Sequence, residues 1–337
     1  MKHRLKALTI GGIALLGAAM ASPAAWAQDY YAGKTLSVYA GRPPGGGVDS
    51  EMRLVVQYLG GNIPGNPRVI ALNMPGAGGV VLGNYLYNIA PKDGLSIGMA
   101  GRTAFLLTPV ESNGNARYDL SKFTWIGSAA SSNFILWMRK GSGITTLAEL
   151  RASKKTLIIG GSGNGNSDTI IPEILAKYEH FPFKVIRGYP GTADEILAMQ
   201  RGEIDGIYTS RGSFPSDPVA AGIAVPIFQT FPEEPGLPLI QDVATNPREK
   251  TLLGLFSVVL RVGLAMVAPP DIPPQEVQIL RTAFMKTVSS PEYVAAAKKR
   301  GFDAGHPNSG PFIDAFLQKS FANIPPDIKA EFLTYAQ

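Results

Sequence analysis

The sequence predicts an α/β protein of two lobes. Three observations carry that expectation: strand-like runs alternate with amphipathic helical stretches, glycine-rich turns mark the junctions between them, and a chain of 337 residues suits two domains better than one. Strands that alternate with helices imply parallel pairing through right-handed crossovers.

The elements follow in order. Residues 35–40 form a strand, and Asp49 is placed to cap a helix whose Met52, Val55, Val56 and Leu59 fall at helical spacing. Residues 69–72 are a second strand, followed by a helix over 80–89, and residues 95–99 are a third strand. A second set begins near Leu147. Residues 156–159 make a strand, and the loop 160–168 leads into a helix carrying Ile170, Ile174, Leu175 and Tyr178. Pro172 requires that helix to start near Asp168, so that the missing N–H falls in its first turn. Residues 184–186 are another strand, Thr192 to Glu195 reads as a capping box closed downstream by Gly202, and residues 204–208 continue the sheet. In the tail, Val277, Leu280, Phe284 and Val288 share one helical face. Ser290-Pro291 then opens a further helix that Gly301 ends. Trp125 and Trp137 are expected in the core.

The first residues decide the compartment. Lys2, His3, Arg4 and Lys6 form a basic head, residues 7–21 are apolar and uncharged, and Ala25-Trp26-Ala27 supplies the small-x-small pattern of a cleavage site. A secretory signal peptide cut after Ala27 is expected, because the apolar run is short for the roughly 20 residues of a membrane span. The formal net charge of +5 falls to +2 once Lys2, Arg4 and Lys6 are gone, and no dense basic cluster remains for nucleic acid or a membrane surface. With no cysteine, thiol nucleophiles, disulfides and lipoprotein anchoring are excluded. With only His180 and His306 left after processing, a His-based triad or multi-His metal site has little material, and no cofactor is expected.

Three strand-to-helix turns carry the chemistry: residues 43–49 (PPGGGVD), 75–79 (PGAGG) and 160–167 (GGSGNGNS). Glycines there bring backbone N–H groups close to a ligand, and the helix behind favours an anion. The candidate ligand-binding residues are Gly45, Gly46, Gly47, Asp49 and Gly78 from the first half. The second half offers Gly161, Ser162, Gly163, Asn164, Gly165 and Ser167, and Thr103 is a further neutral donor. Asp49 also reads simply as a helix cap. None of the loops continues into Gly-Lys-Ser/Thr, so a nucleoside triphosphatase is disfavoured, and residues 45–49 lack dinucleotide-site spacing. Arg102 and Arg211 each follow a strand directly, where a guanidinium reaches a carboxylate with paired hydrogen bonds. Tyr189 and Thr192 are expected to form the wall of the second lobe. The site belongs at the carboxyl ends of the strands.

These stretches resemble the substrate-binding receptors of tripartite tricarboxylate transporters. The resemblance rests on Gly45 to Asp49 with Arg53 four residues on, Asn73 to Gly79, Ala90 to Gly94, Gly161 to Asp168, Gly188 to Thr192 and Ala268 to Pro273, in that order. It implies a two-lobed periplasmic binding protein fold of type II. Each lobe is then a mixed, mostly parallel sheet flanked by helices, with a hinge of crossing strands. Lobe one would comprise residues 28–135 plus 258–337, and lobe two residues 136–257. The resemblance further implies a monomeric receptor holding a small carboxylate on backbone amides and hydroxyls of residues 45–49, Thr103 and 161–167, with membrane permease subunits as partners. Arg42-Pro43-Pro44 departs from the small apolar residues usual before the first glycine pair, which implies a different pocket floor. A ligand-sensing subunit for a signalling receptor would use the same site. A serine hydrolase using Ser162 or Ser167 lacks both an assignable base and the G-x-S-x-G elbow.

Overall fold

A computed structural model describes residues 30–102, 105–106, 115–163, 166–214, 217–322 and 324–336. The expected signal peptide and the site candidates Thr103, Asn164 and Gly165 lie outside the described residues. In chain order the strands are β1 (Thr35–Ala40), β2 (Arg68–Asn73), β3 (Ser96–Met99), β4 (Thr124–Ser128), β5 (Phe134–Arg139) and β6 (Leu157–Gly161). They continue with β7 (Phe183–Arg187), β8 (Gly206–Ser210), β9 (Ala224–Gln229), β10 (Ala265–Ala268) and β11 (Asn308–Ser309). The helices of six residues or more are α1 (Gly47–Leu59), α2 (Val80–Asn88), α3 (Leu147–Ala152), α4 (Ser167–Tyr178) and α5 (Thr192–Arg201). They are followed by α6 (Pro247–Val262), α7 (Pro274–Val288), α8 (Pro291–Lys299), α9 (Gly310–Phe321) and α10 (Pro326–Ala336).

Two sheets result, ordered β11-β4-β10-β3-β1-β2 and β7-β6-β8-β5-β9. Parallel ladders join β1 to β2 and β3, and β6 to β7 and β8, as the strand–helix alternation predicts. The other half of each sheet is antiparallel, because β10 pairs with β3 and β4, and β5 with β8 and β9. Central strands are covered on both faces, so β3, β8 and β10 are buried throughout and show no alternation. The edge strands β2 and β7 keep exposed positions.

Helix α1 shows how the sequence selects its packing. Met52, Val55 and Leu59 recur at helical spacing and are fully buried against Leu36 and Val38 of β1 in one core cluster. Each such side chain contributes about 1.5–3 kcal/mol through burial. Trp125 and Trp137 both lie in the core, and Trp137 stacks on Phe214 at 4.2 Å.

Three local expectations need correction. The N-cap of α1 is Gly46, and Asp49 is the third residue of the helix, within its first turn. The N-cap of α5 is Gly191, so Thr192 is its first helical residue and no capping box forms there. The Thr-x-x-Glu box is built instead at Thr146 and Glu149, ahead of α3. Helix α4 starts at Ser167, and Pro172 lies beyond the first turn, where its ring nitrogen leaves the Asp168 carbonyl without an intrahelical donor. By contrast, Gly202 ends α5 in a left-handed conformation and Ser290 caps α8 with Pro291 behind it, as the sequence predicts.

The chain passes between the sheets twice, and the two passages touch. The Ser132 N–H donates to the Leu260 carbonyl at 3.0 Å, and the Ser131 hydroxyl to the Arg261 carbonyl at 3.1 Å. Asn308 ties both passages together by donating to Ser128 Oγ, Ser131 Oγ and the Arg261 carbonyl. Gly263 ends α6 at φ +67°, and a Cβ there would stand 2.2 Å from the Ala130 carbonyl oxygen, so this crossing requires glycine. On the far side, α10 returns toward the second sheet. Its Glu331 accepts from Lys177 and Tyr178 of α4 and from Arg248 of α6.

Candidate functional site

All three glycine-rich turns lie at the carboxyl ends of parallel strands, β1, β2 and β6. Between the sheets, at that end, two adjoining cavities of about 180 and 200 Å³ share Arg102, Phe134, Thr192 and Thr209 in their walls. Larger hollows of about 750 and 470 Å³ lie against α9 and the segment leading into α10. Of the three glycine-rich turns only 160–167 lines any of these cavities, and it lines the smaller, polar pair, to which the site is assigned.

The first sheet supplies the charged wall. Arg102 leaves the end of β3, is half-buried, and donates from Nη1 to Ser132 Oγ at 2.9 Å on the passage between the sheets. Glu51, in the first turns of α1, and Asp303, after α8, line the same cavity. Burial is the main cause that lifts Glu51 to about 7, with Arg102 opposing and Asp303 reinforcing. Burial likewise raises Asp303, against the pull of Arg102 and hydrogen bonds from its neighbours. Asp303 accepts the Gly212 N–H of the second sheet's β8 turn at 2.9 Å, a direct bond across the cleft. A Cβ at Gly212 would stand 2.1 Å from that carboxylate oxygen, so only glycine permits the approach.

The second sheet supplies hydroxyls. Thr192 Oγ1 and Thr209 Oγ1 are 3.1 Å apart, which is why Thr192 is diverted from capping α5. Ser210 and Ser213 line the first cavity, and Ser162, Asn166, Ser167 and Asp168 the second. The Ser162 N–H donates to Asp168 Oδ2 at 2.8 Å, its hydroxyl accepts from Asn166, and Thr169 closes the loop by donating to the Gly163 carbonyl.

Of the residues singled out in the sequence, Arg102, Thr192, Ser162 and Ser167 line the cavities. Asp49 is 2% exposed and stands beneath its loop, accepting from the Gly45 N–H at 2.8 Å, from Arg53 and from Asn73. Burial opposes its charge, but the hydrogen bonds from Arg53, Gly45 and Asn73 outweigh that and lower its pKa. Gly45, Gly46 and Gly47 are exposed above it, and the Gly78 carbonyl packs against Gly101. Gly161 is buried in register with Arg187, and its carbonyl accepts from Gly188. Tyr189 packs on the cluster around Ile196 and Ile204 and lines neither cavity. Arg211 turns outward, paired with Glu234 at 2.8 Å and lying 5.9 Å from the Trp137 ring. Glu51, Ser132, Phe134, Thr209 and Asp303 were not marked by the sequence. The Ser131-Ser132-Asn133 run between two strands was the available signal for one of them.

Two sheets joined by touching crossover segments, with a polar cleft at their carboxyl ends, define a periplasmic binding protein fold of the two-domain kind. The profile of the tripartite tricarboxylate transporter family receptor, TctC, matches residues 62–330, and the chain belongs to that family. A Cupriavidus necator protein, the UPF0065 protein in gbd 5'region, is 26% identical over 317 residues, covering 88% of this chain and 89% of its own. A TctC solute-binding protein from Polaromonas, solved without ligand, superposes with a TM-score of 0.68 at 17% identity, over 89% of this chain and 98% of that one. MatC from Rhodopseudomonas palustris with bound malate gives 0.57 at 16% identity, over 90% and 99%. A second R. palustris protein, with adipate, gives 0.57 at 18% identity, over 90% and 97%. At these identities the solved structures share the fold. Family and fold are those of non-enzymatic solute-binding receptors.

Proposed function

We propose that this chain is a periplasmic receptor that captures a small carboxylate between its lobes and delivers it to the membrane subunits of a tripartite tricarboxylate-type transporter. The observation that carries the reading is Arg102, a half-buried guanidinium that shares its wall of the cleft with Glu51 and Asp303, faces the hydroxyls of the other wall, and has Ser132 as its hydrogen-bond partner among the described residues. A planar cation with donors to spare suits a carboxylate. The malate and adipate held by two proteins of the same fold support that ligand class.

Lobe one would present the cation and lobe two the hydroxyls of Thr192, Thr209 and Ser162. A ligand touching both walls stabilises the closed arrangement, to the extent that it binds that arrangement more tightly than the open one. The basic head and apolar run of residues 2–21 support export, and among the described residues no helix is long and apolar enough to cross a membrane.

The test is a thermal-shift screen of the processed protein against mono- and dicarboxylates, followed by calorimetry on the best hit. Arg102→Ala is expected to weaken that hit about 10- to 100-fold, the equivalent of the roughly 1.5–3 kcal/mol typical of a charged hydrogen bond. Unchanged affinity in the variant removes the assigned anchor.

A further inference from the structure

The charged wall of the cleft is unusual for a site that takes only anions. Glu51 and Asp303 come from separate segments, the first turns of α1 and the stretch after α8, yet both line the cavity that holds Arg102. Neither forms an ion pair with that arginine within 4 Å or with any other described residue. Glu51 makes no hydrogen bond among the described residues, whereas Asp303 already accepts from the Gly212 N–H and from the Ser132 and Ser210 hydroxyls, so Glu51 is the more open acceptor of the two. Two carboxyl groups beside one guanidinium leave the wall without net positive charge. A second carboxylate brought against their charged forms would meet repulsion, which a partly buried cleft screens less than water does.

We propose that the ligand of this cleft carries a nitrogen donor as well as a carboxylate: the carboxylate seats at Arg102 and the lobe-two hydroxyls, and the N–H group seats at Glu51 and Asp303. This rests on the carboxylate-receptor reading above and narrows it, from small carboxylates at large to amino- or amide-bearing ones. An ammonium or amide N–H would satisfy Glu51, which the fold leaves without a hydrogen bond among the described residues, with Asp303 adding charge beside it, and a buried acceptor gains most from a partner. Burial raises both acids, so the charged form of each gains from a donor brought into the cleft.

Calorimetry on the processed protein tests this with two isosteric series: succinate, its monoamide succinamate and 4-aminobutyrate; and adipate, its monoamide and 6-aminohexanoate. The expected result is that a nitrogen-bearing member binds at least about tenfold more tightly than the dicarboxylate of its series. In Glu51→Gln with Asp303→Asn the ratio is expected to fall to about one, because the acceptors facing the nitrogen lose their charge. Asparagine keeps an acceptor for the Gly212 N–H, and unfolding midpoints check that the double variant folds. If it does not, Glu51→Gln alone carries the comparison, since that side chain has no described partner to lose. Dicarboxylates binding as tightly as their nitrogen-bearing partners, or a ratio unmoved by the substitutions, overturns this inference and leaves the carboxylate reading standing. Failure of both series to bind overturns the inference together with that reading if the broader acid screen is also empty.

Discussion

The first glycine loop of each sheet is closed by the same device, and the two copies differ in what surrounds it. In lobe one the Gly45 N–H donates to Asp49, and in lobe two the Ser162 N–H donates to Asp168, each at 2.8 Å and each to a carboxylate in the opening turns of the next helix. Asp49 is sealed under its loop, where Arg53 and Asn73 complete its bonds. Asp168 has no arginine partner among the described residues, accepts from Thr169, and lines a cavity. One aspartate is therefore a lock and the other a lock with an open side. The contrast extends to the walls: lobe one brings Arg102, Glu51 and Asp303, while lobe two brings mostly hydroxyls. On the reading proposed above, charge would select the ligand and short hydroxyls would hold it from the other side.

Substituting the two aspartates is the most direct way to break the comparison. Asp49→Ala leaves three donors without their acceptor, and urea unfolding is expected to show a loss of about 2 kcal/mol, discounted because Arg53 remains half exposed. Asp168→Ala strands fewer donors, in contact with solvent, and about 1 kcal/mol is expected. Equal losses would mean that the sealed environment of Asp49 adds nothing.

Stability against pH sharpens the same contrast. Asp49 is ionised at lower pH in the fold than in the unfolded chain, so its stabilisation is complete above the unfolded pKa and is lost as pH falls through the folded one. Carboxyls raised by burial reverse the sign, and they occur in both halves: Glu51 in the cleft, and Glu195 and Glu249 on the second sheet's side. Burial, reinforced by Asp168 and Asp194, lifts Glu195 to about 7; burial, reinforced by Glu179, lifts Glu249 to about 8. Their contribution is greatest below the ordinary glutamate value of 4.5 and declines as pH rises through 7 and 8. Melting temperature is therefore expected to drop between about pH 4.5 and pH 8 and to level off above that. Glu249→Gln and Glu195→Gln should flatten that descending limb, and Asp49→Asn the acid one. A decline that survives both glutamine substitutions assigns it elsewhere, first to Glu51.

The smallest effect is expected at the hydroxyl wall. Thr192→Val keeps the shape but removes the contact with Thr209 Oγ1, and a loss below about 1 kcal/mol in stability with a several-fold weaker ligand is expected. A larger loss of stability than of affinity would make the threonine pair structural.

Much of the fold was legible because its signals are local. The strands β1, β2, β3 and β7 lie within a residue of the positions read from hydrophobic runs, and Gly202 and Ser290-Pro291 end and begin helices as their backbone preferences dictate. Misreadings arose where a distant partner outbid a local one. Thr192 satisfies the capping pattern in sequence, but Thr209 takes its hydroxyl, whereas the same pattern at Thr146 meets no competitor and forms the box. Arg211 stands at a strand end just as Arg102 does, yet Glu234 draws it outward.

The sequence by itself determined the alternation of strand and helix, the parallel halves of both sheets, and glycine turns at the carboxyl ends of strands, because period, capping and turn chemistry act over a few residues. Only the tertiary structure decided the antiparallel halves, the touching passages at Ser132 and Leu260, and which charges share the cleft. Asp303 reaches Gly212 across 91 residues and Arg102 reaches Ser132 across 30, distances over which no local pattern carries information. The helix N-termini were visible from the start; the acids facing Arg102, which bear on the ligand's identity, were not.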